Sequence, residues 1–251
     1  MWEKEGKAMH VKIKKGDIGR YVFLPGDPFR TDLIASYLDE PKLIAHNREL
    51  KTWTGFLNGE KVSVTSTGMG CPSTAIALEE LISCGADTFI RVGTAGCMDD
   101  SRRDESSIGG IITSSIRDEG TSKQYVPVEY PAVADIDVVL ALKEAAKDLN
   151  YDFKCGISYC KDSLYTLLEP ENSPMGDIFS NRYDMFKKAN VLLTEMESSI
   201  IFILSSIRKV RAGGIAAYSD SVDVEDAIDK TIRTAILAIE KLIEKDKSAN
   251  K

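Results

Sequence analysis

The chain has 251 residues, 43% of them hydrophobic and 28% charged, and a formal net charge of −7. That length supports one large α/β domain with a well-buried core, and the ordinary apolar share excludes a disordered or fibrous class. The acidic balance excludes broad nucleic-acid or membrane-surface binding, and no apolar run is long enough to span a bilayer.

Taken in chain order, the pattern predicts a strand at 21–24, a helix at 30–38, a strand at 62–66, a helix at 73–84 and strands at 88–92 and 110–113. A helix at 136–149, a strand at 154–159, a helix at 182–189, a strand at 191–194, a helix at 196–207, a strand at 213–218 and a helix at 224–245 follow. Lys241, Lys245 and Lys247 suit the negative end of the last helix. The polar stretch 99–107 reads as an exposed loop, and the turn-rich stretch 169–174 as a lid or rim. Strands alternating with helices imply a largely parallel central sheet covered on both faces. No repeat or linker divides the chain, so residues 1–251 are expected to form a single domain.

Five cysteines, Cys71, Cys84, Cys97, Cys155 and Cys160, make no CxxC pair, and with only two histidines there is no zinc arrangement. They read as free thiols in a reducing, cytoplasmic setting, with Cys155 and Cys160 buried. The charged start, Met1-Trp2-Glu3-Lys4-Glu5, lacks the apolar stretch of a signal peptide.

Three arginines stand out against this acidic background: Arg30 in Gly26-Asp27-Pro28-Phe29-Arg30, Arg48 in His46-Asn47-Arg48-Glu49, and Arg91 in Arg91-Val92-Gly93-Thr94-Ala95-Gly96. The first and third fall where a strand is expected to end and a loop to begin, which is where open α/β sheets place their ligands. Forked guanidinium donors match phosphate, and neighbouring glycines let backbone N–H groups come close. The set reads as a small-anion site, with phosphate the expected ligand.

Six motifs in order resemble the nucleoside phosphorylase superfamily, closest to its uridine phosphorylase branch, from about His10 to the last helix. They are Leu24-Pro25-Gly26-Asp27-Pro28-Phe29-Arg30, His46-Asn47-Arg48-Glu49, Ser66-Thr67-Gly68-Met69-Gly70-Cys71-Pro72-Ser73, Ile90-Arg91-Val92-Gly93-Thr94-Ala95-Gly96, Glu129-Tyr130-Pro131-Ala132-Val133-Ala134-Asp135 and Thr194-Glu195-Met196-Glu197-Ser198. The resemblance implies a single-domain α/β fold whose mixed central sheet curls into a partial barrel covered by helices. It also implies a homodimer or a trimer-of-dimers hexamer with sites shared across the dimer. The reaction it implies is reversible phosphorolysis of a nucleoside to free base and pentose 1-phosphate, in nucleoside salvage. Gly26, Arg30, Arg91 and Thr94 would hold phosphate, with Arg48 arriving from the neighbouring subunit. Glu197, Met196, Thr94 and a His10 reaching across the dimer would hold the ribose. No cofactor is implied beyond phosphate as co-substrate. Glu49, Met69 and Ser73 match a site at which some relatives bind a monovalent cation such as K+.

The base pocket departs from the uridine pattern. In Lys161-Asp162-Ser163-Leu164-Tyr165-Thr166-Leu167-Leu168-Glu169-Pro170-Glu171-Asn172, Leu167 stands for the family's glutamine and Asn172 for its arginine. Leu164 replaces the phenylalanine that stacks on the base, beside Tyr165. Ser219-Asp220, ending the strand at 213–218, matches the pair whose acid protonates a departing purine in bacterial purine nucleoside phosphorylases. Uridine phosphorolysis is therefore the first expectation. A purine nucleoside phosphorylase with Asp220 as general acid is the alternative. A nucleosidase and a non-catalytic nucleoside-binding relative rank below both.

Plainer readings exist for single residues. Arg30 and Arg91 are equally suited to ion pairs, Glu197 to a helix start, Asp220 to a turn cap and His10 to a surface position. The strand at 62–66 with Gly68 and Gly70 nearly makes a dehydrogenase's dinucleotide fingerprint, but Ser73 takes the third glycine's place and Pro72 sits in the turn.

Overall fold

A computed structural model describes residues 3–4, 6–99 and 108–249. A short ribbon of β1 (Glu3–Lys4) and β2 (Lys7–Ala8) precedes β3 (Tyr21–Leu24), α1 (Pro28–Ala35), a hairpin of β4 (Asp39–Asn47) and β5 (Leu50–Leu57), and β6 (Glu60–Thr65). Next come α2 (Cys71–Ser83), β7 (Thr88–Cys97), β8 (Gly109–Asp118), β9 (Ala132–Val133), α3 (Ile136–Asp148) and β10 (Phe153–Lys161). The chain ends with α4 (Tyr165–Leu168), α5 (Gly176–Lys188), β11 (Leu193–Glu195), α6 (Ser198–Arg208), β12 (Arg211–Tyr218) and α7 (Val224–Ala249).

Local chemistry sets where the helices start. The Asp27 carboxylate accepts from Phe29 N–H at 2.8 Å, and Pro28 occupies the first turn of α1, where no amide donor is missed. Asp135 caps α3 in the same way through the Asp137 and Val138 amides. Gly70 precedes α2 at φ +89°, a conformation that disfavours any side chain.

The strands are ordered β11-β10-β8-β12-β7-β3-β6-β5-β4, and β11 also pairs with β7. That extra pairing closes β7, β12, β8, β10 and β11 into a barrel, from which β3, β6, β5 and β4 continue as an open wing. The barrel expectation holds. The largely parallel sheet does not: β7 is parallel to β12 and β3, whereas β12 with β8 and β11 with β7 are antiparallel. Two sets of strands thus run in opposite directions and end toward each other, which a purely parallel sheet cannot do.

The core lies between the sheet and its helices. Phe23, Phe89, Ile90 and Phe202 are buried within it, each worth roughly 1.5–3 kcal/mol relative to exposure. Every residue of α6 from Ser198 to Ser205 is buried.

Several boundaries differ from the sequence pattern. The β4–β5 hairpin is absent from it because β4 is an exposed edge strand carrying Asp39, Glu40, Pro41 and Lys42, with no apolar alternation to read. β7 continues to Cys97 instead of ending at 92, because Gly93, Ala95 and Gly96 are small residues lodged in the barrel wall. Helix α5 starts at Gly176 and not at 182, its first turns carrying Ile178 and Phe179, in helical register with Tyr183 and Phe186. Residues 170–172 form a 3-10 turn within the expected rim. Cys155 is exposed, contrary to expectation, whereas Cys160 is buried; no disulfide links the cysteines among the described residues. Of the expected loop at 99–107, all but Asp99 lies outside the described residues.

Candidate active site

Arg91 sits within β7, flanked by the parallel strands β3 and β12. It pairs in register with Leu24, the last residue of β3, and with Gly214 on β12. The loop after β3 therefore leaves directly beside it, carrying Gly26 and then Arg30 on α1. The turn after β6 lies on this loop: Thr67 N–H donates to Pro25 O at 2.9 Å and Gly68 N–H to Gly26 O at 3.0 Å. Arg91 is thus mid-strand, not at a strand end as its motif suggested. Gly93 makes room for the guanidinium itself, since a Cβ there would lie 3.1 Å from Arg91 Cζ.

The buried Arg91 guanidinium is shared between two carboxylates. Nε donates to Glu195 Oε2 at 3.2 Å, and Nη2 donates to Glu197 Oε2. Nη1 is buried without a partner among the described residues. A buried N–H left unmade costs about 1–3 kcal/mol, so this donor marks the place of an acceptor supplied from outside the chain. Burial opposes the charge on Arg91, but Glu197 and Glu195 outweigh it and hold its pKa up. Arg30 is half-buried on α1, its pKa lowered by burial and by the charge of Arg91, and its guanidinium makes no hydrogen bond or ion pair among the described residues. Two like cations held close with donors to spare form an anion site. Phosphate fits that donor set.

Glu197 opens α6, and its second oxygen, Oε1, accepts from Gly70 N–H at 2.7 Å. Burial pushes its pKa up, opposed by Arg91 and reinforced by Glu195. Glu195 went without a role in the sequence reading. Its Oε2 accepts from the Glu197 and Ser198 amides at 2.8 and 2.9 Å, satisfying the start of α6 while it orients Arg91. A carboxylate just ahead of a predicted helix start was the signal that could have found it. Lys161, also missed, ends β10 within this cluster: it is 6% exposed, and its pKa is lowered by burial against the attraction of Glu195 and Glu197.

The structure thus brings Gly26, Arg30, Arg91 and Glu197 together, with Thr94 and Met196, both half-buried, adjoining on β7 and beside Glu197. Other expected residues lie elsewhere on the same chain. His10 is held by Glu80, with Nδ1 2.7 Å from Oε1 and its amide donating to the same carboxylate. Arg48 is exposed at the tip of the β4–β5 hairpin with φ +55°. Glu49 accepts from Ser73 Oγ at 2.8 Å, and the Met69 side chain is 86% exposed. Leu164 and Tyr165 are exposed, and the Asn172 amide donates to Glu169 Oε2 at 3.0 Å, so neither Leu167 nor Asn172 restores the polar reader that the uridine pattern has there. Asp220 is exposed at the end of β12, where Oδ1 accepts from Cys97 N–H at 3.2 Å, the geometry of a cap. Gly70 N–H is spent on Glu197 and Gly68 N–H on Gly26 O, so the two glycine amides of the near-fingerprint are not available to a pyrophosphate.

This mixed barrel with a buried arginine–carboxylate cluster belongs to a known class. The chain is a member of the Phosphorylase superfamily, whose sequence profile matches residues 20–245. It is 42% identical over 247 residues to the uridine phosphorylase of Treponema pallidum, covering 94% of this chain and 95% of that one. It is 34% identical to the guanosine phosphorylase of Halorubrum lacusprofundi, over 93% of this chain and 98% of the relative. The crystal structure of uridine phosphorylase from Vibrio fischeri superposes with a TM-score of 0.85 at 28% identity, over 97% of this chain and 100% of that one.

Proposed function

We propose that the protein catalyses reversible phosphorolysis of uridine, giving uracil and ribose 1-phosphate. The observation that carries this reading is the buried, unpartnered Nη1 of Arg91 beside Arg30, next to the buried carboxylate of Glu197. Phosphate held by Arg30, Arg91, Thr94 and the Gly26 loop is aimed at the sugar before reaction, which removes much of the entropic barrier. Glu197 accepts from the ribose hydroxyls, Met196 packs on the sugar face, and the carboxylate offsets positive charge as the glycosidic bond breaks.

Arg48 and His10 complete the site from a second copy. What supports this is their placement: both lie on the β4–β5 side, joined through Asn47 Nδ2, which donates to His10 O at 2.8 Å. Glu49 and Ser73 adjoin them and offer one carboxylate per copy; two copies together would hold a monovalent cation. No described helix is long and apolar enough to cross a membrane, and five cysteines without a disulfide among the described residues suit a reducing cytoplasm.

A second reading, purine phosphorolysis, is favoured by Asp220 at the end of β12 and by the guanosine phosphorylase relative. Base release from uridine, thymidine, inosine, adenosine and guanosine, each with and without phosphate, separates the readings. Uridine cleavage that requires phosphate is expected. Purine cleavage alone would install the second reading, cleavage without phosphate would mean hydrolysis, and none at all would overturn both.

A further inference from the structure

The segment that leads into the base side of the site, Lys161–Asn172 in the sequence, contains a single cation, Lys161. It is the last residue of β10, paired in register with Asp118, and the residue before it pairs with Glu195. Its side chain runs into the interior, leaving the residue 6% exposed, within electrostatic reach of both Glu195 and Glu197. A lysine recruited only to neutralise those carboxylates would close an ion pair with one of them. The Lys161 ammonium makes no hydrogen bond or ion pair among the described residues, and Arg91 occupies the carboxylates instead. An ammonium has three donors, and although the residue is nearly buried its Nζ is not closed off from solvent, so the donors are open to a ligand.

Asp162, Ser163 and Asn172, which follow it, are engaged within the chain. Asp162 accepts from Gly120 N–H at 2.9 Å, Ser163 Oγ accepts from Thr166 N–H at 3.4 Å, and Asn172 donates to Glu169. Leu164 and Leu167 offer no polar atom. A uracil leaving group still needs a donor at its carbonyl edge, because charge gathers there as the bond to the sugar breaks.

We propose that Lys161 is a catalytic residue that donates from its ammonium to a carbonyl oxygen of the departing pyrimidine. This rests on the phosphorolysis reading above. In the step, a phosphate oxygen forms the bond to C1′, and the C1′–N bond breaks with its electron pair passing to the base. The negative charge delocalises onto the carbonyl oxygen facing Lys161, and the base takes its proton from solvent after release. A donor placed where charge develops contributes more in the transition state than in the ground state. The lowered pKa of Lys161 fits a desolvated ammonium kept charged by Glu195 and Glu197.

The test is a leaving-group series. The rates of uridine, 5-fluorouridine and 5-nitrouridine, in order of increasing base acidity, are compared for the unaltered enzyme, Lys161→Met and Lys161→Arg at saturating phosphate. Lys161→Met should lower kcat/KM for uridine by about 100-fold, the usual loss for one such donor. The loss should shrink to about tenfold or less for 5-nitrouridine, whose anion needs less help, with the KM for phosphate unchanged. Lys161→Arg should recover part of the uridine rate. Equal losses across the series would make Lys161 a structural neutraliser and overturn its role while leaving phosphorolysis standing. No loss at all, or turnover of purines alone, would overturn it as well. Absence of phosphate-dependent cleavage by the unaltered enzyme would instead overturn the proposed function and this role with it. Lys161→Gln, which keeps a donor without the charge, carries the same comparison if the methionine variant does not fold.

Discussion

The amide of Gly70 donates to Glu197 Oε1 at 2.7 Å, tying the turn before α2 to the carboxylate that opens α6. With Oε2 on Arg91, both oxygens of Glu197 are fixed before any ligand arrives. A sugar hydroxyl bound as proposed would meet an acceptor that does not need to be reoriented, which is the condition for a strong electrostatic contribution to rate.

Glu197→Gln keeps the shape and removes the charge. It should lower kcat by about 100- to 1,000-fold with a smaller change in the KM for phosphate. The pH profile gives a second readout. Glu197 acts ionised, and burial raises its pKa, so activity should fall on the acid side at a pH above the ordinary glutamate range. Stability runs the other way: a raised acid contributes most below its unfolded-state pKa and loses that contribution as pH rises through the folded value. Initial rates measured from about pH 4 to about pH 8 would show the acid limb vanish in the variant if Glu197 is its source.

Arg91→Lys keeps one positive charge but loses the fork that spans Glu195, Glu197 and the unpartnered Nη1 side. The KM for phosphate should rise about 10- to 100-fold while the KM for nucleoside changes less. Arg91→Ala is the harsher change. It leaves two buried carboxylates without their cation, and thermal melting should show a loss of about 3–5 kcal/mol. Normal phosphate dependence in either variant would remove Arg91 from the anion site.

Asp220→Asn tests the purine reading directly. Any inosine or guanosine turnover should fall about 100-fold or more, the usual contribution of a general acid, while uridine turnover falls much less. Unchanged purine cleavage would leave Asp220 as the cap that its bond to Cys97 N–H already makes it.

A clamp away from the site makes part of the fold's stability depend on pH. Tyr21 on β3 donates to Asp246 Oδ2 at 2.7 Å, and Arg211 on β12 donates to Oδ1 at 3.0 Å, pinning α7 across both strands. Burial raises Asp246, but hydrogen bonds from Arg211 and Tyr21 and the charges of Arg211 and Arg20 outweigh it and hold its pKa low. Its contribution is therefore present above its unfolded pKa and lost as pH falls through the folded one. Burial, then Asp246, push Tyr21 up to about 12, so its contribution is complete below its unfolded pKa and is lost as pH rises through the folded one. Asp246→Asn should lower stability by about 1–3 kcal/mol at neutral pH, and the difference should close in acid. A constant difference in melting temperature at all pH values would show the clamp to be steric.

The cluster of residues proposed to hold phosphate was readable from sequence because its parts are local. Gly26 and Arg30 share one turn, and Arg91 stands in a short motif with the glycine that makes room for it. Glu197 was readable for the same reason. Glu195 and Lys161 were not, since their significance comes from distance in the chain. Glu195 acts on Arg91 across the barrel closure, and Lys161 stands out only for a nearly buried side chain whose ammonium has no partner among the described residues, which no linear pattern records. The edge strand β4 escaped because solvent on its outer side removes the need for apolar alternation. The strand directions escaped too, since alternation reports neighbours along the chain and not the β11–β7 pairing that joins its distant parts.

Helix α6 is buried on every side from Ser198 to Ser205 and carries Glu197 at its start, whereas the stretch from Asp162 to Glu169 is mostly exposed. Substitutions at exposed positions usually shift stability by no more than about 0.5 kcal/mol, while those in a packed helix shift it by several times that. The two halves of the site therefore differ in how freely they can drift. The residues proposed for phosphate and sugar are locked to the integrity of the fold, and the surface proposed to lie beside the base is open to variation. A lineage built on this scaffold can exchange one nucleobase for another by altering a few outward residues, with the bond-breaking apparatus left as it was.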